Sequence, residues 1–174
     1  MKVTAVIFMI VLPFCAVAQQ NSGSPAKSVT VNFNNAEGQD VGHALLSPTS
    51  HGVRIKIDVK KLPPGEHSLH IHQFPKCDTP DFKTAGAHFN PADQTHSSHD
   101  HTGMPAGDIP NFSLIVAADG TGHATVIAPN VTMGSEPNSV FSNGGTAIII
   151  HAVSSQDPGS APPRIACGVI AKSE

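Results

Sequence analysis

Alternation is the clearest signal along the chain. In "GVRIKIDVK", Val53, Ile55, Ile57 and Val59 alternate with Arg54, Lys56, Asp58 and Lys60, the period-two pattern of a strand with one face buried. Shorter candidates of the same kind are "VTVNF", "SLHIHQ", "FSLIVA", "HATVIA", "TAIIIHAV" and "RIACGVIA". Turn residues separate them, in "PPGE" at 63–66, "ADGTG" at 118–122 and "SNGG" at 142–145. A convincing long amphipathic helix is lacking. Several short strands punctuated by Gly and Pro predict an all-β chain, an antiparallel sandwich or barrel. The long segment between "SLHIHQ" and "FSLIVA" reads as a loop, and loops of that length within a compact domain are usually functional.

The 174 residues suffice for one good core and fall short of two ordinary domains. The first part, 1–18, "MKVTAVIFMIVLPFCAVA", joins a lysine, an apolar run and a small-x-small end. This is the pattern of a secretory signal cleaved after Ala18, and the run is too short to favour a membrane span. Lipidation at Cys15 is the alternative, which the bulky Pro13 and Phe14 disfavour. Residues 19–28 then form a polar, flexible leader, and 29–174 the domain. Export implies a periplasmic or extracellular setting. It also leaves Cys77 and Cys167 as an even pair in an oxidising compartment, which predicts a disulfide, with two buried thiols as the alternative. Closing a loop of roughly 90 residues stabilises a fold by about 4 to 5 kcal/mol in the chain-entropy description.

Removing the signal takes away Lys2 and no acid, so the formal charge moves from -3 to -4. A mildly acidic chain without a basic cluster predicts no nucleic-acid partner. With no Trp, no Tyr and eight Phe, an obvious stacking surface is also missing. The sequons "NFS" at 111–113 and "NVT" at 130–132 matter only in a host that glycosylates.

Most of the eleven histidines fall between His67 and Asp108. Alternation in "SLHIHQ" sets His70 and His72 on one strand face and Leu69 and Ile71 on the other, so two imidazoles project together from a rigid element. An H-x-H pair is a weak signal alone. It gains weight from His88 and His96 in the following loop and from His151, a lone polar residue ending an aliphatic run.

Taken in order, "HSLHIHQ", "KCDTPDFKTAGAHFNP", "GDIPN", "AIIIHA" and "RIACGVI" resemble the Cu/Zn superoxide dismutases, especially the bacterial secreted type, from about Val29 to Ile170. The resemblance implies a Greek-key antiparallel β-sandwich or flattened barrel with long metal-binding loops. It implies copper held by His70, His72, His88 and His151, and zinc held by His88, His96 and Asp108, with His88 bridging the two metals. Copper suits an all-imidazole set. The same likeness implies a Cys77–Cys167 disulfide and gives Arg164 the role of the cation that attracts the superoxide anion, the substrate; His88 would supply a proton. Family members include monomers and dimers, so the oligomeric state stays open.

Three departures bear on the zinc. The family's third zinc histidine corresponds to Pro105, which cannot ligate a metal; His99 or His101 is the possible replacement ligand in the same loop. The segment "HAVSSQDPGSAPPR" from His151 to Arg164 is short where the family has a longer charged loop. An aspartate that links the two metal sites corresponds to Ser155, with Asp157 nearby. Loss of such a partner costs tenfold or more in metal affinity or activity. The expectation is an exported, copper-dependent superoxide dismutase with an altered zinc site. Met104 beside Pro105 is a further soft donor, although a loop methionine more often packs. The alternative function is a noncatalytic copper or zinc buffer on the same fold.

Overall fold

The computed structural model describes residues 27–93, 104–152 and 162–172. Nine strands form within them: β1 Val29–Asn35, β2 Asp40–Thr49, β3 Gly52–Val59, β4 Gly65–His67, β5 Leu69–His72, β6 Leu114–Val116, β7 Gly122–Ala128, β8 Thr146–His151 and β9 Arg164–Ile170. Seven make one antiparallel sheet in the order β5-β8-β9-β1-β2-β3-β7, and β4 pairs with β6 in a short second ribbon. The large sheet curls into a half-barrel. Leu114 and Val116 of the ribbon pack into the same core as Val31, Phe33, Leu46, Ile55 and Ile150 of the sheet. The expected all-β, sandwich-like architecture is therefore present.

Strand β3 follows its pattern: Val53, Ile55, Ile57 and Val59 are buried while Arg54 and Lys56 face solvent. Burying each such side chain contributes roughly 1.5–3 kcal/mol. Two strands were not legible from alternation. In β2 the inward set is Val41, Gly42, Ala44 and Leu46, too small in part to register, and Leu45 adds an apolar residue on the solvent side. β4 lies where "PPGE" predicts a turn; Gly65 and Glu66 pair with Val116 and Ile115 instead. "FSLIVA" contracts to three strand residues.

Strand β8 is buried at every position. Ile148 and Ile150 enter the main core, whereas Ala147 and Ile149 pack outward against Phe82, Ala85 and Cys167 in a second, smaller cluster. The loop after β5 thus roofs the outer face of β5 and β8. The Cys77–Cys167 disulfide, with Cα atoms 5.6 Å apart, ties that roof to β9. Among the described residues, no helix is long and apolar enough to cross a membrane.

Candidate metal centre

The register of β5 against β8 builds the floor of the site. Leu69 faces Ile150 and Ile71 faces Ile148 on the core side, so His70 and His72 share the opposite face with Ile149 and Ala147. His151 continues that face at the end of β8, where a bulge in the β8–β9 pairing falls between Ile150 and His151. His88 arrives from the roof. Residues 87–89 run along the free edge of β5, with Gln73 N–H donating to Ala87 O and Phe89 N–H to Ile71 O, both at 2.8–2.9 Å. Ile71 N–H in turn donates to Gly107 O at 2.9 Å, which brings Asp108 to the same edge. Gly107 is required by this convergence: a Cβ there would fall 2.1 Å from Ile71 O and 2.8 Å from Phe89 N.

One ligand atom from each of His70, His72, His88 and His151 lies within 4.8 Å of all the others. Three of the rings have one nitrogen committed elsewhere. His72 Nδ1 donates to Gly86 O at 3.0 Å and His151 Nδ1 to Pro162 O at 3.2 Å, because a carbonyl can only accept. His88 Nδ1 lies 2.5 Å from Asp108 Oδ1. Their Nε2 lone pairs are left to point inward, and those of His72 and His151 face each other at 3.4 Å. His70 Nδ1 is buried with no hydrogen-bond partner. Two facing lone pairs and an orphaned buried nitrogen are unfavourable unless a cation sits among them. The residues present therefore fit a metal ion bound through four imidazoles, and hydrogen bonds of this kind to the outer nitrogen fix ring tautomer and orientation in metal sites.

Burial reinforces this. It pushes His70 and His72 down to about 3 and His151 down to about 4, with the neighbouring His88 ring adding repulsion against a proton. All three are neutral at physiological pH, the form a metal requires.

Arg164, the register partner of His151, reaches under the roof and donates from Nη1 to Phe82 O at 2.6 Å and from Nη2 to Gly86 O at 2.8 Å. Gly86 O thus serves both Arg164 and His72. Gly86 holds φ +80, and a Cβ on it would meet the Phe74 ring at 2.7 Å. Sequence reasoning did not single out Gly86 or Gly107, although each stands in an Ala-Gly step just ahead of a candidate ligand, in "AGAH" and "AGD". It also passed over His67, a buried ring whose Nδ1 and Nε2 lie 2.9 and 2.8 Å from His151 O and Pro63 O. That ring buttresses the end of β8 from the core side of the ribbon.

The expected zinc set is joined only in part. His88 and Asp108 meet, and Asp108 N–H donates to Pro105 O at 3.0 Å, so Pro105 shapes the turn before the carboxylate. His96, His99, His101, Ser155 and Asp157 lie outside the described residues, as do Cys15 and the export segment.

Residues 27–170 match the family model described as copper/zinc superoxide dismutase. A copper–zinc superoxide dismutase of Aquifex aeolicus is 39% identical over 162 residues, spanning 90% of this chain and 95% of the relative. One from Caulobacter vibrioides is 36% identical, spanning 82% and 85%. Among solved structures, a superoxide dismutase-like protein from Bacillus subtilis superposes with TM-score 0.71 at 31% identity, covering 80% of this chain and 96% of that one. The same Bacillus protein has also been solved with a proline changed to histidine. The chain belongs to the copper/zinc superoxide dismutase family.

Proposed function

We propose that this protein is an exported, copper-dependent superoxide dismutase that converts superoxide to oxygen and hydrogen peroxide. The observation that carries the reading is the convergence of four imidazole nitrogens within 4.8 Å, one of them buried without a partner. His70 through Nδ1 and His72, His88 and His151 through Nε2 would hold the copper. Bound there, copper supplies one-electron exchange, oxidising one superoxide and reducing a second. Zinc is the second metal of the family, and His88 and Asp108 are the described residues that would contribute to its site, with His96 and either His99 or His101 completing it.

The protein's own groups have separate tasks. Asp108 orients His88 through Nδ1, so the other side of that ring faces His70, His72 and His151, the position from which His88 would deliver a proton to the substrate. Arg164 keeps a fixed positive charge, since its guanidinium is ionised across the physiological range. Two backbone carbonyls lock its fork, so the charge needs no rearrangement when an anion arrives. The disulfide holds the roof that supplies those carbonyls. Export is supported by the signal-like residues 1–18 and by the Cys77–Cys167 bridge, a linkage that persists in oxidising compartments.

The test is the decay of superoxide in the presence of the mature chain carrying one equivalent of copper, against the metal-free chain and the chain carrying zinc alone. Acceleration by the copper form only is expected. Copper binding without acceleration would overturn the enzyme reading and leave a metal buffer.

A further inference from the structure

The outward face of the curled sheet brings together two histidines and an aspartate, residue types that can ligate a metal, at the other end of the strand order from β5 and β8. His43 on β2, Asp58 on β3 and His123 on β7 are direct register partners across three neighbouring strands. Side chains directly opposite on one face stand about 5 Å apart, so the two imidazoles flank the carboxylate from either side. His123 Nδ1 donates to Asp58 Oδ1 at 2.6 Å, and His43 Nε2 lies 4.0 Å from Asp58 Oδ2. All three line one shallow groove together with Asn32 and Thr121.

Stability does not account for this row. The side chains of His43 and His123 are 51% and 72% exposed, and exposed pairs of this kind contribute little to folding. The other outward positions of β3 are Arg54 and Lys56, so an acid between two histidines is a local exception along the strand.

We infer that His43, Asp58 and His123 form a second, surface metal site for a divalent transition-metal ion, with zinc(II) the ion that its two imidazoles and one carboxylate suit best. Three protein donors with water in the fourth position is a common arrangement for that ion. The metal binds His123 Nδ1 in the tautomer that carries its proton on Nε2, and so replaces the Nδ1 proton as the partner of Asp58. His43 closes from the other side, and both exposed rings can turn without repacking the core. Asp58 is ionised at neutral pH, held below the usual carboxylate range first by the His123 hydrogen bond and then by nearby Lys56. Lys56 opposes a cation, whereas Lys60 is engaged by Asp40 at 2.5 Å. The site fills and empties independently of the four-histidine centre, because none of its residues belongs to the roof or to β5 and β8.

The experiment is a zinc(II) titration of the full mature chain, followed through the imidazole ¹⁵N signals of His43 and His123. Both rings should respond together along one saturating curve that accounts for one equivalent beyond the zinc taken up at the four-histidine centre and by His88 and Asp108. Asp58→Asn should weaken that response by about tenfold or more, the scale on which a lost metal-supporting group acts, while the response of His70 and His151 stays unchanged. His43→Gln provides a second variant if Asp58→Asn perturbs the sheet. Silence of both rings while the four-histidine centre responds, or responses of His43 and His123 that are independent of each other and unaffected by Asp58→Asn, would overturn the site.

Discussion

His70 differs from its three neighbours in holding a buried nitrogen with no hydrogen-bond partner. His72, His88 and His151 each have an outer partner in Gly86, Asp108 and Pro162, but His70 Nδ1 has none. Replacing His70 by Ala should therefore weaken copper binding by more than the roughly tenfold to hundredfold that loss of a supporting partner costs, as read by competition with a chelator. The same crowding makes the metal-free chain acid-sensitive. The folded-state values of about 3, 3 and 4 for His70, His72 and His151 lie below the unfolded value of 6.5. Between those limits the unfolded chain binds more protons, so stability falls as pH drops from about 6.5 towards 4. Denaturant midpoints across that window should decline in the wild type and decline less in His151→Leu; a flat profile would contradict buried, neutral rings. Arg164→Ala should slow superoxide decay by roughly tenfold or more and flatten its dependence on ionic strength, the signature of a lost steering charge. At this scale His70, His72 and His151 stood out because H-x-H alternation and a terminal histidine on an aliphatic run are side-chain patterns, whereas His88, a loop histidine among several, was singled out as a copper ligand only by the family resemblance. The carbonyl oxygens of Phe82 and Gly86 were not legible, because backbone groups leave no such mark.

The elements place those residues through approaches that few side chains permit. Strand β5 pairs with β8 on one edge and is covered on the other by residues 87–89 and Gly107. Gly107→Ala puts a methyl into the Ile71 carbonyl, and the edge must open to admit it. A loss of about 3 kcal/mol is expected by denaturant titration, with His88 and Asp108 displaced together, so copper and zinc binding should both suffer. Unaltered stability would mean that the edge is looser than described. Alternation identified β3 because one of its faces meets water. It missed β2, where Gly42 and Ala44 blur the inward set, and it could not explain why β8 is aliphatic at both parities. The answer for β8 is tertiary: the loop roof turns its outer face into the second cluster of Phe82, Ala85 and Cys167.

Across the whole molecule, the disulfide couples that roof to the sheet. It closes a separation of 90 residues, and exchange of both Cys77 and Cys167 for Ser should cost about 4 kcal/mol in the chain-entropy description. Copper-dependent activity should fall as well, since Arg164 and His72 both depend on Gly86 O; calorimetry and superoxide decay on the same variant would separate the two losses. Pro105→His restores the residue type that the family resemblance implies for the zinc site, and should raise zinc affinity at equilibrium dialysis with little change in copper content. The proposed function requires His70, His72, His88 and His151 to converge on one copper ion. Its most direct test is electron paramagnetic resonance of the mature chain with one equivalent of copper(II), with and without ¹⁵N-labelled histidine. A single tetragonal signal is expected, with superhyperfine splitting that changes with the label as four equatorial imidazole nitrogens require. A signal dominated by oxygen donors, or by one or two nitrogens, would contradict it.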